Sequence, residues 1–418
     1  MSVFKEGHDL CLLEGSNAYF AALSAAMDAA QKEVRLETYI FDFTASGQTV
    51  ATSLIRAAQR GIKVYLLMDG AGSEHPPLDW LARFDAAGVQ WRVYNPLGRL
   101  GLLIPSRWRR LHRKLCIVDG GTKNAVGFCG GINILDDFHD PNHGALHKPR
   151  FDFAVRVRGA LVNDIFQATR SLWLRQNAFQ RMRERVKTSL ANSLLPDPSH
   201  ASAALDVSNA LADVFAANAP QHSFASAALL LRDNVRNRRR IESAYLLAIS
   251  QASQEIIVAN AYFLPGGKLR RALLAAAARG VKVKLLLQGR YEYFMQYHAA
   301  RPVYAALLEA GIEIHEYSAS FLHAKVAVID AFSANAWATV GSSNLDPLSL
   351  LLAREANLVV RDGAFARDLR GRLEIAIKQG GSQVRLEDFA NRPWRQRALD
   401  RIAFGLMRLA LFFTGRHY

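Results

Sequence analysis

The sequence predicts an α/β protein of two tandem, related domains. Each is a mixed sheet flanked by helices, and the pair is set about a pseudo-twofold axis with one active site at the interface. Three observations predict this. A His-x-Lys-x4-Asp string occurs twice, as His112/Lys114/Asp119 and His323/Lys325/Asp330. Gly-x-x-Asn follows each copy at Gly130/Asn133 and Gly341/Asn344, so His to Asn is 133 − 112 = 21 and 344 − 323 = 21. The surroundings repeat as well: AAQRGIKVYLLMDG (57–70) matches AAARGVKVKLLLQG (276–289), and EVRLETYIFD (33–42) matches EIIVANAYFL (255–264). One string arises by chance, whereas two with one spacing, in units roughly 210–220 residues apart, mark a duplication.

The elements follow in order. The runs 33–42 and 255–264 are apolar enough for buried strands and come after helical stretches. Residues 57–70 and 276–289 each read as a helix end, a Gly cap and a strand. LHRKLCIVD (111–119) and LHAKVAVID (322–330) are short, apolar and rich in β-branched residues, hence strands. FDFAVRVRG (151–159) and EANLVVRDG (355–363) are further strands, each with an acid near its start. Residues 187–226 are rich in Ala, Ser and Asn and poor in charge, which fits a connection. The expected organisation is an N-terminal domain over 1–186, a connection over 187–226, a C-terminal domain over 227–390 and a tail over 391–418. Both domains have ample chain for a core.

The motif carries chemistry. Side chains two apart on a strand share a face, so His112 lies beside Lys114 and His323 beside Lys325. The Lys neutralises the oxygens of a phosphate while the His acts as nucleophile or acid. Two half-sites supply two His, two Lys and two Asn (Asn133 and Asn344) around one phosphorus, enough to stand in for a metal ion. Asp119 and Asp330 complete the candidate catalytic set, but seven residues from the His is an odd separation. In a regular strand they point to the other face, as structural groups at strand ends. Asp152 and Glu355 are better partners for the imidazoles, fixing the tautomer and stabilising imidazolium.

Composition narrows the setting. Cys11, Cys116 and Cys129 are widely spaced and imply no disulfide framework, hence a reducing compartment. The start, MSVFKEGHDLCLLEG, has no apolar core of a signal peptide, and no stretch approaches the length of a spanning helix. Net charge is 52 − 37 = +15, which suits nucleic acid or anionic lipid equally. Its distribution favours lipid. LGRLGLLIPSRWRR (97–110) interleaves Leu, Ile and Trp with Arg, as in a loop dipping into headgroups or one packed on the other domain. In RPWRQRALDRIAFGLMRLALFFTGRHY (392–418), read as a helix, Arg397, Arg401, Gly405 and Arg408 form one stripe. Ile402, Leu406, Leu409, Phe412 and Phe413 lie opposite, a pattern for a membrane surface or for docking on its own domain.

Other signals are weaker. His139, His143 and His147 have metal-ligand spacing, but Pro141 and Gly144 break a helix there, so a loop over the site is expected and no metal or cofactor. Tyr291, Tyr293 and Tyr297 either line a channel or pack in the core. Tyr39 and Tyr262 read as equivalent positions with a shared packing role. No Walker, Rossmann or thiol-redox motif is present.

The doubled motif resembles that of the phospholipase D superfamily, and the resemblance implies Asp152 and Glu355 as the histidine partners. More closely, the chain resembles bacterial cardiolipin synthases of the B type over nearly its whole length. The residues that carry this are LLEG (12–15), ETYIF (37–41), RGIKVYLLMDG (60–70), GFCGGIN with LHRKLCIVD, ANAYFLPG (259–266), HAKVAVID (323–330) and ATVGSSNLDPLSLLLAREANLVV (338–360). The main type begins with hydrophobic membrane segments that this chain lacks, which points to the B type and to peripheral attachment on the cytoplasmic side of the cell membrane. The resemblance implies phosphatidyl transfer between two phosphatidylglycerol molecules through a phosphohistidine, with His112 as nucleophile and His323 as acid and base. The implied partners are anionic phospholipids (phosphatidylglycerol, cardiolipin) and the membrane surface, not nucleic acid. A hydrolase using water, a nuclease and a non-catalytic scaffold are the rivals. Nucleases of this type are often short single-motif chains, and two intact motifs disfavour a scaffold.

Overall fold

The computed structural model describes residues 4–73, 76–96, 98, 109–140, 143–191, 221–233, 237–290, 294–346, 353–390 and 392–413. Each half of the chain builds the same sheet. In the first, Glu33–Thr38, Lys63–Asp69 and Gln90–Tyr94 run parallel, while Lys114–Val118, Val126–Gly130 and Phe153–Arg158 continue antiparallel from Glu33–Thr38. In the second, Glu255–Asn260, Lys282–Gln288 and Glu313–Tyr317 are parallel, and Lys325–Ile329, Trp337–Gly341 and Ala353–Arg361 follow in the same way. Registers agree too: Glu33 pairs with Lys63 as Glu255 does with Lys282, and Val34 with Val118 as Ile256 does with Ile329.

Parallel neighbours require crossovers. Helices Gly47–Gln59 and Leu78–Ala87 supply them in the first half, Gly267–Ala278 and Phe294–Glu309 in the second. The repeated Arg-Gly closes the first crossover helix of each half: Gly61 and Gly280 take φ of 84° and 86°. The next N–H then reaches back to the helix, Ile62 to Ala57 O at 3.2 Å and Val281 to Ala276 O at 3.1 Å.

The halves are not independent. Lys5–Glu14 pairs antiparallel with Gln221–Arg232, fusing them into one 16-stranded sheet. An apolar cluster draws Leu115, Ile117, Phe153 and Val155 from one half and Val326, Val328, Leu358 and Val360 from the other. Helices Val162–Ala191 and Gly363–Gly380 cover that cluster at equivalent places, through Ile165 and Leu369 among others. Continuous pairing and a shared core hold the two motifs in a fixed relation.

The expected connection begins and ends inside regular structure. Helix Val162–Ala191 runs past residue 186, and strand Gln221–Arg232 starts before residue 227. Residues 192–220 lie outside the described residues, as do 97 and 99–108 of the Leu/Arg segment. All three cysteines are free and buried, and burial pushes the Cys129 thiol up to about 12.

The tail forms helix Trp394–Phe413, and one face of it docks on the second half. Asp400, 3% exposed, takes His298 Nδ1 at 2.7 Å and Arg392 at 2.8 Å, and Ala403 joins the core around Tyr304 and Phe389. The docking reading therefore holds for this face of the helix. Arg397 and Arg401 remain exposed beside a second exposed strip of Leu399, Ile402 and Leu406, the last two 59% and 52% exposed. Side chains beyond Leu406 lie outside the described residues. Among the described residues, no helix is long and apolar enough to cross a membrane.

Candidate active site

Backbone pairing across the two halves assembles the site. Arg110–Leu111 lies parallel to Ala353–Arg354, and His112 N–H donates to Arg354 O at 3.0 Å. In the mirror arrangement Phe151 bridges Leu322, and His323 N–H donates to Phe151 O at 2.9 Å. Each histidine is thus tied to the residue just before the other half's acid. The side chains follow. His112 Nδ1 lies 3.0 Å and 3.1 Å from the two carboxylate oxygens of Glu355, and His323 Nδ1 lies 2.6 Å from Asp152 Oδ2. The sequence supplied the acids but not their crossing: each imidazole is oriented by the opposite half.

The two pairs differ electrostatically. Glu355 is fully buried, which works against its charge, but His112, Lys114 and the Ser342 hydroxyl at 2.5 Å outweigh burial and hold it below its usual value. At the place of Ser342 the first half has Gly131, where a Cβ would lie 2.4 Å from Asp152 Oδ1. Asp152 therefore has no hydroxyl donor there; it accepts from Phe153 N–H at 2.8 Å, and burial pushes it up to about 7. Burial also lowers both histidines, with Lys325 and Lys114 acting the same way on each; His323 falls further because Glu355 opposes the shift at His112. Both shifts favour the neutral imidazole. With Nδ1–H given to the carboxylate, each Nε2 keeps its lone pair.

Lys114 and Lys325 are buried, and each ammonium donates to its own histidine's carbonyl, Lys114 to His112 O at 2.7 Å. Burial first, and then the charge of Lys325, lowers Lys114 to about 7 despite Glu355. Both lysines thus share one buried site with the carboxylates of Glu355 and Asp152, which favour the charged form of Lys114. Asn133 and Asn344 are buried too, Asn133 Oδ1 accepting from Ile40 N–H at 3.2 Å.

Asp119 and Asp330 leave the set of reacting groups. Each sits at the far end of its strand with positive φ, 54° and 50°. Asp119 accepts from the N–H groups of Gln31, Lys32 and Glu33 at 2.7–3.2 Å, and Asp330 from those of Ser253, Gln254 and Glu255 at 2.8–2.9 Å. They anchor the chain entering the first strand of each half. Burial acts to raise Asp330, but the three N–H groups prevail and hold it lowered. Asp330→Ala should therefore cost about 2 kcal/mol in denaturant unfolding at pH 7, with turnover per folded molecule kept. That loss should be full above pH about 4 and vanish as pH falls through the depressed value, because there the native carboxylate is itself protonated.

Sequence reasoning missed several groups. Tyr39 does not match Tyr262: the bridges Phe41–Ile134 and Phe263–Leu345 align Tyr39 with Ala261. Its ring lies 4.9 Å from that of His112 and 5.5 Å from Lys114 Nζ, so it packs the first half-site alone. Asp69 and Gln288, which end the repeated Leu-rich strands, accept from Leu111 N–H at 2.6 Å and Leu322 N–H at 3.3 Å, just before each histidine. The paired MDG and LQG strings were the available signal. His139 and His143 fall in a hairpin, His139–Asp140 with Gly144–Ala145, where the His143 ring packs 5.0 Å from Phe321 of the second half. Among the described residues no group of ligands able to hold a metal is found. Tyr291, Tyr293 and the Tyr297 side chain lie outside the described residues.

Comparison with known proteins gives the family. The family described as "Cardiolipin synthase, PLD-like domain" matches residues 23–146 and 245–375. The chain belongs to this family. It is 35% identical to cardiolipin synthase B of Salmonella typhimurium over 97% of its own length and 89% of the relative's. The corresponding protein of Escherichia coli K12 is also 35% identical, with the same shares covered. A cardiolipin synthase of Geobacillus kaustophilus is 29% identical over 94% of this chain and 70% of that one. In fold the chain resembles phosphatidylserine synthase of Haemophilus influenzae, with a TM-score of 0.62 at 14% identity, over 96% of this chain and 94% of that one.

Proposed function

We propose that this family member is a cardiolipin synthase, transferring a phosphatidyl group from one phosphatidylglycerol to another to give cardiolipin and glycerol. The observation that carries it is the crossed pair of His–carboxylate couples around two buried lysines, in a chain that matches cardiolipin synthase B almost end to end. His112 Nε2 attacks phosphorus and the bond to the headgroup glycerol oxygen breaks; His323, as imidazolium, protonates that oxygen. His323 then takes the proton from a hydroxyl of the second phosphatidylglycerol, whose oxygen attacks the phosphohistidine and frees His112. The asymmetry supports these roles. Ionised Glu355 stabilises the positive ring formed when His112 attacks, whereas a lowered His323 gives up its proton readily once the anionic phosphate has favoured its protonation. Lys114, Lys325, Asn133 and Asn344 hold the phosphate oxygens.

The test is lipid mass spectrometry of a cardiolipin-free bacterium expressing the chain. Cardiolipin is expected, with one glycerol released per molecule formed. Phosphatidic acid without cardiolipin would instead establish the hydrolase.

The enzyme sits peripherally on the cytoplasmic face of the membrane, with anionic phospholipids as substrates and support. The exposed Arg397/Arg401 stripe beside Leu399, Ile402 and Leu406 supports this. Ile402→Asp with Leu406→Asp should release much of the protein from phosphatidylglycerol vesicles in flotation and spare turnover of a soluble short-chain phosphodiester. Charge reversal at Arg397 and Arg401 should cost binding mainly at low salt. Unchanged flotation in both variants would place attachment elsewhere.

A further inference from the structure

A cavity of 720 Å³ opens in the second half, away from the histidines. Helix Arg240–Gln251 forms one wall with Arg240, Ala244 and Leu247, positions that share a helix face. The turn after Lys325–Ile329 forms the other. Its floor is apolar: Leu230, Ile329, Trp337 and Val359 are all buried, and Leu247 at the mouth is 48% exposed. Three arginines line it too, Arg239, Arg240 and Arg361, all exposed. Among the described residues none has an ion-pair partner; Arg361 only stacks over Phe4 at 4.1 Å. The acid that lines the cavity, Asp330, is already committed to three backbone N–H groups.

An apolar floor below unpaired arginines fits a molecule with a hydrocarbon tail and an anionic head. The volume lies within the usual range for small-ligand sites, roughly 300–1,000 Å³. The site is separate from the catalytic one, because His323 and Asp330 bracket strand Lys325–Ile329 at its two ends. Seven residues of extended chain span roughly 20 Å. We infer that this cavity is a second, non-catalytic lipid site, which takes one acyl chain of an anionic amphiphile and holds the head group at Arg239, Arg240 and Arg361. The chain can belong to a bilayer phospholipid or to a free fatty acid, which share this chemistry.

Trp337 reports on occupancy, being 6% exposed and part of the floor. The full-length protein is titrated with 9,10-dibromostearate in solution, and separately with phosphatidylglycerol vesicles carrying dibrominated chains. The readout is the fluorescence quenching present in the parent and absent in Trp337→Phe. Saturable quenching of that component is expected. It should be lost in Ala244→Phe, which fills the cavity, and weakened at least about tenfold by Arg239→Glu with Arg361→Glu or by using the methyl ester. Quenching by the free acid identifies a fatty-acid site, and quenching by vesicles alone a bilayer-lipid site. Either result upholds the proposal. Turnover of a soluble phosphodiester shows that each variant is folded; should Ala244→Phe fail there, the arginine pair and the methyl ester still decide. No saturable Trp337 quenching by either probe overturns it, as does equal binding of the methyl ester where the acid quenches.

Discussion

His112→Ala and His323→Ala should each lower phosphatidyl transfer by about four orders of magnitude while leaving the thermal unfolding transition in place, because both rings serve one phosphorus. The expected losses are equal overall but differ by step. With a substrate whose leaving group needs no proton, such as a nitrophenyl ester of a short-chain phosphatidic acid, His323→Ala should still show a rapid first release of nitrophenol. His112→Ala should show none. Stopped-flow absorbance reads the difference directly. Near-normal turnover in His323→Ala would remove the second half-site from the reaction.

Much of this was legible in the chain. Duplicated spacing around His112 and His323 announced two half-sites, and period-two parity already turned Asp119 and Asp330 away from the chemistry. Strand Lys63–Asp69 and its counterpart Lys282–Gln288 followed from a Gly cap and an apolar run. What stayed hidden depends on contacts between distant segments. Pairing of Arg110–Leu111 with Ala353–Arg354 puts Glu355 on His112, and no local pattern reports a contact across 243 residues. The fusion through Lys5–Glu14 and Gln221–Arg232 was hidden for the same reason, since pairing partners are a property of the sheet and not of either strand. Tyr39 was misaligned by one residue, which on a strand moves a side chain to the other face.

The crossing has a large expected consequence of its own. Glu355→Gln should cut transfer by about two to four orders of magnitude, since the amide can favour the wrong tautomer of His112 and no longer stabilises its positive ring. Asp152→Asn should do likewise through His323. In the nitrophenyl assay the pairing sorts them: Glu355→Gln should slow the first release as His112→Ala does, and Asp152→Asn should spare it as His323→Ala does. The opposite sorting would mean that each acid serves the histidine of its own half. Ser342→Ala should act in the same direction as Glu355→Gln but more weakly, by raising the carboxylate it now donates to.

The central claim is one phosphohistidine in one composite site. It is tested most directly by mixing His323→Ala with the nitrophenyl substrate, quenching in base, where phosphohistidine survives, and mapping the adduct by peptide mass spectrometry. A phosphatidyl group on the peptide containing His112, absent from the peptide containing His323, is the predicted result. An adduct on the His323 peptide of the converse variant His112→Ala, or no adduct in either, would contradict the account.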